Sequence, residues 1–518
     1  MDVPRPAVNP WLVAPAVMLG TFMEVLDTTI TNVALPHIAG NLSAGVDEST
    51  WVLSSYLVSN AMVLPAAGWL AQRFGRKRFL MACIVIFTLS SLLCGIATTL
   101  PMLIVFRILQ GLGGGALQPL SQAILLESFP RRQHGMANAV YGLGVVMAPI
   151  IGPTLGGWLT DNYSWRWCFY INLPVGVLAL LMIQAFVFDP DYIRHQRAKH
   201  IDYFGLGLLV VGLGALQIVL DKGQREDWFE TAWITKTAIV SVVSLVVLVI
   251  WELRTPHPII NLRLLADRNL ALGTAMMLGF GAALYGSMVL YPILLQTLMN
   301  YTALLSGLVL SPGGIATLIC MPICGRLVGR VDTRWLLVLG FTTCAVGLFA
   351  MSRFSLDITF YDAVWPRVLV NIGIAFTFIP LTTVTFATIP REKIGQATGM
   401  YNLMRNIGGS AGIAAITTIM ARRSQFHQSV LAAHLTPYNP YFYSVLQQMD
   451  ATLKTAGPSA SVVTPASPTA MMYGQLQRQA AMLGVVDSFW LMAVLMSLLI
   501  LGLFFFRRGT LVAPAGAH

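Results

Sequence analysis

Fourteen apolar runs divide this chain, each near the roughly 20 residues that a helix needs to cross the hydrocarbon core of a bilayer. They fall at 11–35, 50–71, 79–99, 102–126, 136–160, 167–188, 203–221, 234–252, 270–295, 303–325, 335–352, 362–388, 398–421 and 487–506. In lipid a backbone must satisfy its own polar groups, and a helix does so within a single segment. Only 10% of the residues are charged, against about 25% in a soluble domain. The sequence predicts an all-α integral membrane protein, and an even number of spans returns both termini to the same side.

Charge identifies that side. Of the 32 Lys and Arg, 20 lie in alternate loops and at the termini: Arg5; Arg73, Arg76, Lys77 and Arg78; Arg131 and Arg132; Arg194, Arg197 and Lys199; Arg254, Arg263 and Arg268; Arg326, Arg330 and Arg334; Arg391 and Lys393; Arg507 and Arg508. The positive-inside rule puts these, and both termini, in the cytoplasm. The net charge of +10 thus reports topology in a lipid bilayer and calls for no nucleic acid. The first run has neither a basic leader nor a small-residue cleavage site, so it is read as a retained helix. All six cysteines lie in or beside apolar runs, and Cys320 and Cys324, one turn apart, have no His or acid with them. No disulfide framework and no metal site are expected. No G-x-x-x-x-G-K-[ST] segment occurs, which argues against a nucleotide-driven pump. With no metalloprotease cluster or Ser/Lys dyad either, no enzyme and no cofactor are expected.

The chemistry concentrates in the first run, which carries Glu24 and Asp27. An ionised carboxylate near the bilayer centre costs at least ~3 kcal/mol, so two in one helix call for a function. Three residues apart, they share a helix face. Mutual repulsion and desolvation together favour keeping a proton on at least one of them, as proton-coupled transport requires. Asp27 lies ~16 residues, or ~24 Å, from the inner start of its helix, too deep for a carboxylate that merely reaches water at a helix end. Arg107, in the fourth run, lies ~9 Å below the outer face and Asp27 ~12 Å below it. The matching depths predict that Arg107 is the counter-charge of the acidic face.

The fifth run contains Gly144, Pro149, Gly152, Pro153, Gly156 and Gly157, small residues and prolines that permit close helix contact and a kink. They are candidate gating residues. Gly68, Arg73, Gly75 and Arg76 in the inner turn GWLAQRFGRKR (68–78) are candidates for a latch between two states. That turn partly recurs as GRLVGRVDTRW (325–335), matching at Gly68/Gly325, Leu70/Leu327 and Arg73/Arg330. Repeated halves are a mark of secondary-transporter folds. The expected division is a six-helix bundle over 1–200, two extra helices over 201–254, and a second six-helix bundle over 255–518 that includes the outer loop 422–486. The middle of that loop, 456–469, is rich in Pro, Ser and Ala and reads as flexible. Its flanks 441–449 and 473–483 read as amphipathic helices, forming a surface cap or a docking surface. Asp221, in the charged turn LDKGQREDWF (220–229), and Arg405 are further candidates. Arg405 and Arg367 are placed near opposite span ends, with their side chains reaching water, and Asp487 is placed at a span end.

These motifs, in this order, resemble the major facilitator superfamily, and within it the fourteen-span drug:proton antiporters of the EmrB/QacA type. The resemblance rests on LDTTITNVALP (26–36), GWLAQRFGRKR (68–78), RILQG (107–111), the run from Gly144 to Gly157, WRWCFYINLPVG (165–176) and WELRTPHPIINLRLL (251–265). LDKGQREDWF (220–229), IPLTTVTFATIP (379–390) and NPYFYSVLQQM (439–449) resemble its EmrB branch. The likeness runs essentially from end to end. It implies the major facilitator fold, two six-helix bundles plus two extra central helices, in a proton-coupled exporter of hydrophobic or amphipathic compounds at the bacterial inner membrane. It also implies a periplasmic adaptor of the EmrA type and an outer-membrane channel of the TolC type as partners. The fifth-helix run resembles the superfamily's antiporter motif, which its symporters generally lack. The superfamily's loop motif usually has Asp where this chain has Gln72, so other groups must supply that contact. Glu24 is not a general feature of the family. The competing readings are a dedicated exporter of one metabolite, such as a fatty acid or siderophore, and a transporter-like sensor or scaffold without flux.

Overall fold

The computed structural model describes residues 9–130, 133–189, 202–256, 258–436, 438, 441–456 and 467–506. Arg5, Arg131, Arg132, Arg194, Arg197, Lys199, Arg507, Arg508 and most of the Pro/Ser/Ala-rich stretch lie outside them. Among the described residues, helix is the regular structure throughout, apart from one isolated bridge between Val328 and Val331.

Among the described residues, twelve helices are long and apolar enough to cross a membrane. Two more segments occupy the places expected for the second and thirteenth spans. The fourteen are labelled as follows. α1 is Pro10–Asn41; α2 comprises Trp51–Val63, a 3-10 turn at Leu64–Ala66 and Ala67–Phe74; α3 is Arg76–Ile96; α4 is Leu100–Ser128. α5 is His134–Asn162, α6 Trp167–Phe186, α7 Tyr203–Lys222 and α8 Ala232–Arg254. α9 is Arg268–Leu298, α10 Ala303–Leu327, α11 Thr333–Met351, α12 Phe360–Phe386, α13 Ile394–His434 and α14 Pro468–Gly502. Several helices begin at a side-chain cap. Thr99, Asp202, Asp267, Thr302, Asp332, Thr359 and Ser467 each accept a hydrogen bond from a backbone N–H of the first turn, satisfying donors that have no partner inside the helix.

Burial sorts the helices by position. The apolar windows of α1 and α12 are 72% and 78% buried, while that of α8 is 22% buried. The first two therefore sit inside the assembly and α8 turns most of its apolar surface to lipid. In the first half, α1 packs on α5 and α6, α2 on α4, and α3 on α4 and α6. In the second, α9 packs on α13, α12 on α10 and α11, and α14 on α11 and α13. The extra helices α7 and α8 pack on each other, and α7 also packs on α2 and α13.

The two halves meet through α5 with α10 and α12, and through α13 with α2 and α4. Many of these contacts lie at the end bearing Arg73, Arg76 and Arg326. A Cβ on Gly68 would stand 2.5 Å from the carbonyl oxygen of Gly395, and one on Gly135 would stand 2.7 Å from that of Gly325. Only glycine admits such close backbone approach.

Two expectations about the outer loop need correction. The 473–483 flank is no separate helix but the first turns of α14, and α13 runs on to His434. The stretches of these two helices beyond their apolar parts are tied by Arg423 Nε to Asp487 Oδ2 at 2.5 Å and by His427 Nε2 to the same oxygen at 2.8 Å. Residues 442–449 of the other flank lie in a helix, Phe442–Ala456, that packs on α14.

Candidate coupling site

Asp27 is fully buried on α1. Its Oδ2 faces Arg107 Nη1 of α4 at 2.5 Å. Its Oδ1 accepts from Gln110 Nε2 of α4 at 2.9 Å and from Asn172 Nδ2 of α6 at 2.7 Å. Asn172 also donates to Ser91 Oγ of α3 at 2.9 Å, so four helices converge on one carboxylate. Arg107 is equally buried. Its Nε donates to the carbonyl oxygen of Val52 at 3.0 Å and its Nη1 to Gln110 Oε1 at 2.7 Å. Its guanidinium carbon lies 4.2 Å from the centroid of the Tyr56 ring. In a low-dielectric interior, either charge left alone would be costly, and each compensates the other.

Glu24, one turn deeper, is also buried but belongs to a different network. Its Oε1 accepts from Asn60 Nδ2 of α2 at 3.0 Å, and its Oε2 from Gln118 Nε2 of α4 at 2.6 Å. The Oε1 of Gln118 accepts in turn from Arg405 Nη2 of α13. The sequence suggested one acidic face shared by two carboxylates. The helix instead aims Asp27 into the first half and Glu24 towards the seam between halves, so each carboxylate has its own donors.

The expectation that Arg405 reaches water at a span end is wrong. Arg405 is fully buried, because α13 begins at Ile394 and so places it ~17 Å along the helix. Arg367 is likewise not at the surface: it is 5% exposed, with Nη1 3.5 Å from Ser287 Oγ of α9. Around Arg405 the seam is polar. Asn402 Nδ2 donates to Gln122 Oε1 at 2.7 Å, Tyr141 OH to Asn402 Oδ1 at 3.3 Å, and Asn138 Nδ2 to Thr383 Oγ1 at 3.1 Å.

The loop candidates lie together at the Arg-rich end. Arg76, almost fully buried, forms an ion pair with Glu127. Gly75 has φ +89°, a left-handed conformation that favours glycine, and Lys77 N beyond it donates to Asp189 Oδ1 at 2.8 Å. Arg73 is half-buried on α2. Gln72 crosses to the second half, donating from Nε2 to the carbonyl oxygen of Glu392 at 3.3 Å and accepting from Gln396 Nε2 at 3.4 Å. Neutral hydrogen bonds thus stand where the superfamily usually has a carboxylate.

On α5, Gly152 and Gly156 lie against Thr29 and Ile30 of α1, and Gly144 lies against Met18. Gly157 is nearly open, its Cβ position 4.0 Å from Val33. Pro149 and Pro153 sit inside the helix, which continues unbroken through them. Asp221 is half-buried and accepts from Ser54 of α2, while Lys222 beside it donates to Thr50. This pair ties α7 to α2 rather than entering the carboxylate networks. Sequence reading missed Gln110, Gln118, Gln122, Asn60, Asn172 and Asn402. Their signal was a carboxamide inside an apolar run, most visible at Gln110, Gln118 and Gln122 in one span.

The Major Facilitator Superfamily profile matches residues 17–413. The multidrug export protein EmrB of Haemophilus influenzae is 38% identical over 93% of this chain and 93% of its own. The fatty acid resistance protein FarB of Neisseria gonorrhoeae is 39% identical over 81% of this chain and 83% of its own. A double-tryptophan mutant of XylE has the same fold, with a TM-score of 0.63 at 13% identity, covering 96% of each chain.

Proposed function

This chain belongs to the major facilitator superfamily, and from that membership we propose that it is a proton-coupled multidrug efflux transporter of the bacterial inner membrane. It expels hydrophobic and amphipathic compounds in exchange for protons, with both termini in the cytoplasm. Residues 1–200 and 255–518 form the moving halves, and 201–254 a side pair. The observation that carries this reading is the fully buried Asp27, balanced by a single cation, Arg107, and by two neutral amide donors. A proton arriving on Asp27 removes the charge that holds Arg107, and the contacts joining α1 to α4 and α6 loosen. Loss of the proton restores them. Glu24 is a second carrier, and Arg107 holds the counter-charge. Gly144, Pro149, Gly152, Pro153, Gly156 and Gly157 let α5 move against α1, while Gly68, Arg73, Gly75 and Arg76 latch the inner end.

With the Arg-rich end in the cytoplasm, the contacts between Gly68 and Gly395 and between Gly135 and Gly325 close the inner side. On this reading, drug does not enter from the cytoplasm in this state. From the resemblance of its sequence motifs to the EmrB branch we extend the proposal to partners: a periplasmic adaptor of the EmrA type and an outer-membrane channel of the TolC type. The test is purified protein in liposomes with an imposed pH gradient and a fluorescent amphipathic dye. Dye moving against its own gradient only while the pH gradient lasts supports antiport; flux indifferent to the gradient contradicts it.

The similarity to FarB supports a second reading, a dedicated fatty-acid exporter. A competition panel separates the two. Inhibition of dye flux by chemically unlike drugs favours the multidrug reading, and inhibition by fatty acids alone favours the other.

A further inference from the structure

The other side-chain contacts across the seam, such as Gln122–Asn402 and Asn138–Thr383, join neutral groups. The chain Glu24–Gln118–Arg405 differs in having a carboxylate at one end, on α1, and a guanidinium at the other, on α13, with α4 between them. All three residues are at least nine-tenths buried. Gln118 has one amide nitrogen and one amide oxygen, and both are used. Nε2 donates to Glu24 Oε2 at 2.6 Å, and Oε1 accepts from Arg405 Nη2. A carboxylate can only accept and a guanidinium can only donate, so one orientation of the amide satisfies both ends. Each bond is charge-assisted, and the two polarise each other through the amide.

We propose that Gln118 and Arg405 are positioning residues that tie the charge on Glu24 to closure between the two halves. With Glu24 ionised, the relay holds α13 against α4. A proton on Glu24 removes the anionic end, the amide loses its strong acceptor, and Arg405 is no longer held through it. Release of the inner closure then requires that proton. The titratable and charged groups around Glu24 are Asp27 on its own helix, Tyr56 on α2, Tyr141 on α5 and Arg405 on α13. Arg405 is the cation among them that belongs to the second half. The inference rests on the antiport reading above.

The experiment measures downhill dye flux in liposomes, with equal pH on both sides, from about pH 8 to about pH 6. Couplings between sites of this kind amount to about 5- to 150-fold. The unaltered protein should therefore speed up by about tenfold on acidification. Arg405→Gln and Gln118→Met should both flatten this dependence to that of Glu24→Gln. The double variant Glu24→Gln/Arg405→Gln should be no flatter than Glu24→Gln alone, and Arg405→Lys should recover part of the slope. Damage to the fold would lower flux at every pH without changing the slope. If Arg405→Gln does not fold, Gln118→Met, which keeps nearly the same volume, decides the matter. Retention of the unaltered slope by Gln118→Met, or a double variant flatter than Glu24→Gln alone, overturns the relay. Uphill flux under a pH gradient, measured on the same liposomes, tells failure of the relay from failure of antiport.

Discussion

Asp27 and Arg107 show what a buried charge pair demands of its surroundings. Removing one partner leaves the other uncompensated, which costs about 3–5 kcal/mol, whereas removing both is far milder. Arg107→Gln should therefore lower the melting temperature of the purified protein, and Asp27→Asn/Arg107→Gln should recover much of the loss. A double variant no more stable than Arg107→Gln would show that the pair is not balanced in this way. By contrast, Asp487 is about one-third exposed where it meets Arg423, and such pairs contribute about 0–1 kcal/mol. Asp487→Asn should barely move the melting temperature. The Asp27–Arg107 pairing was legible because depth along a helix follows from residue count. The separation of Glu24 from Asp27 was not, since three residues of helix fix a common face but not which neighbour each side chain meets. The burial of Arg405 was missed because only the apolar part of α13 was visible.

At the scale of the element, hydropathy reads the solvent and not the helix. Residues 422–434 are polar enough to end an apolar run, yet they contain no Gly or Pro, and α13 continues through them. The start of α14 is polar helix as well, and it runs on through Gly474. Polar stretches at the ends of apolar runs thus hid helix that continues beyond them. Close approach is also a property of elements. Gly68→Ala would press a methyl group onto the backbone of Gly395, so the Arg-rich ends of α2 and α13 must part. Labelling of a cysteine placed at Thr398, which is buried at this seam, should rise in Gly68→Ala and stay unchanged in Gly207→Ala, where a Cβ meets nothing within 4 Å. Equal labelling in all three backgrounds would contradict an inner gate at this contact.

For the whole molecule, the fourteen-span layout was readable from run length, since lipid restricts a spanning chain so severely. The seam between halves was not readable. It is built from glycines and carboxamides whose partners lie far away in sequence, such as Gln122 with Asn402, and no local pattern reports such pairs. The proposed role of Asp27 is to couple protons to movement of these halves. It is tested most directly by comparing gradient-driven dye flux with dye–dye exchange at equal pH for Asp27→Asn in liposomes. Gradient-driven flux should be lost while exchange persists. Gradient-driven flux undiminished in Asp27→Asn would contradict it.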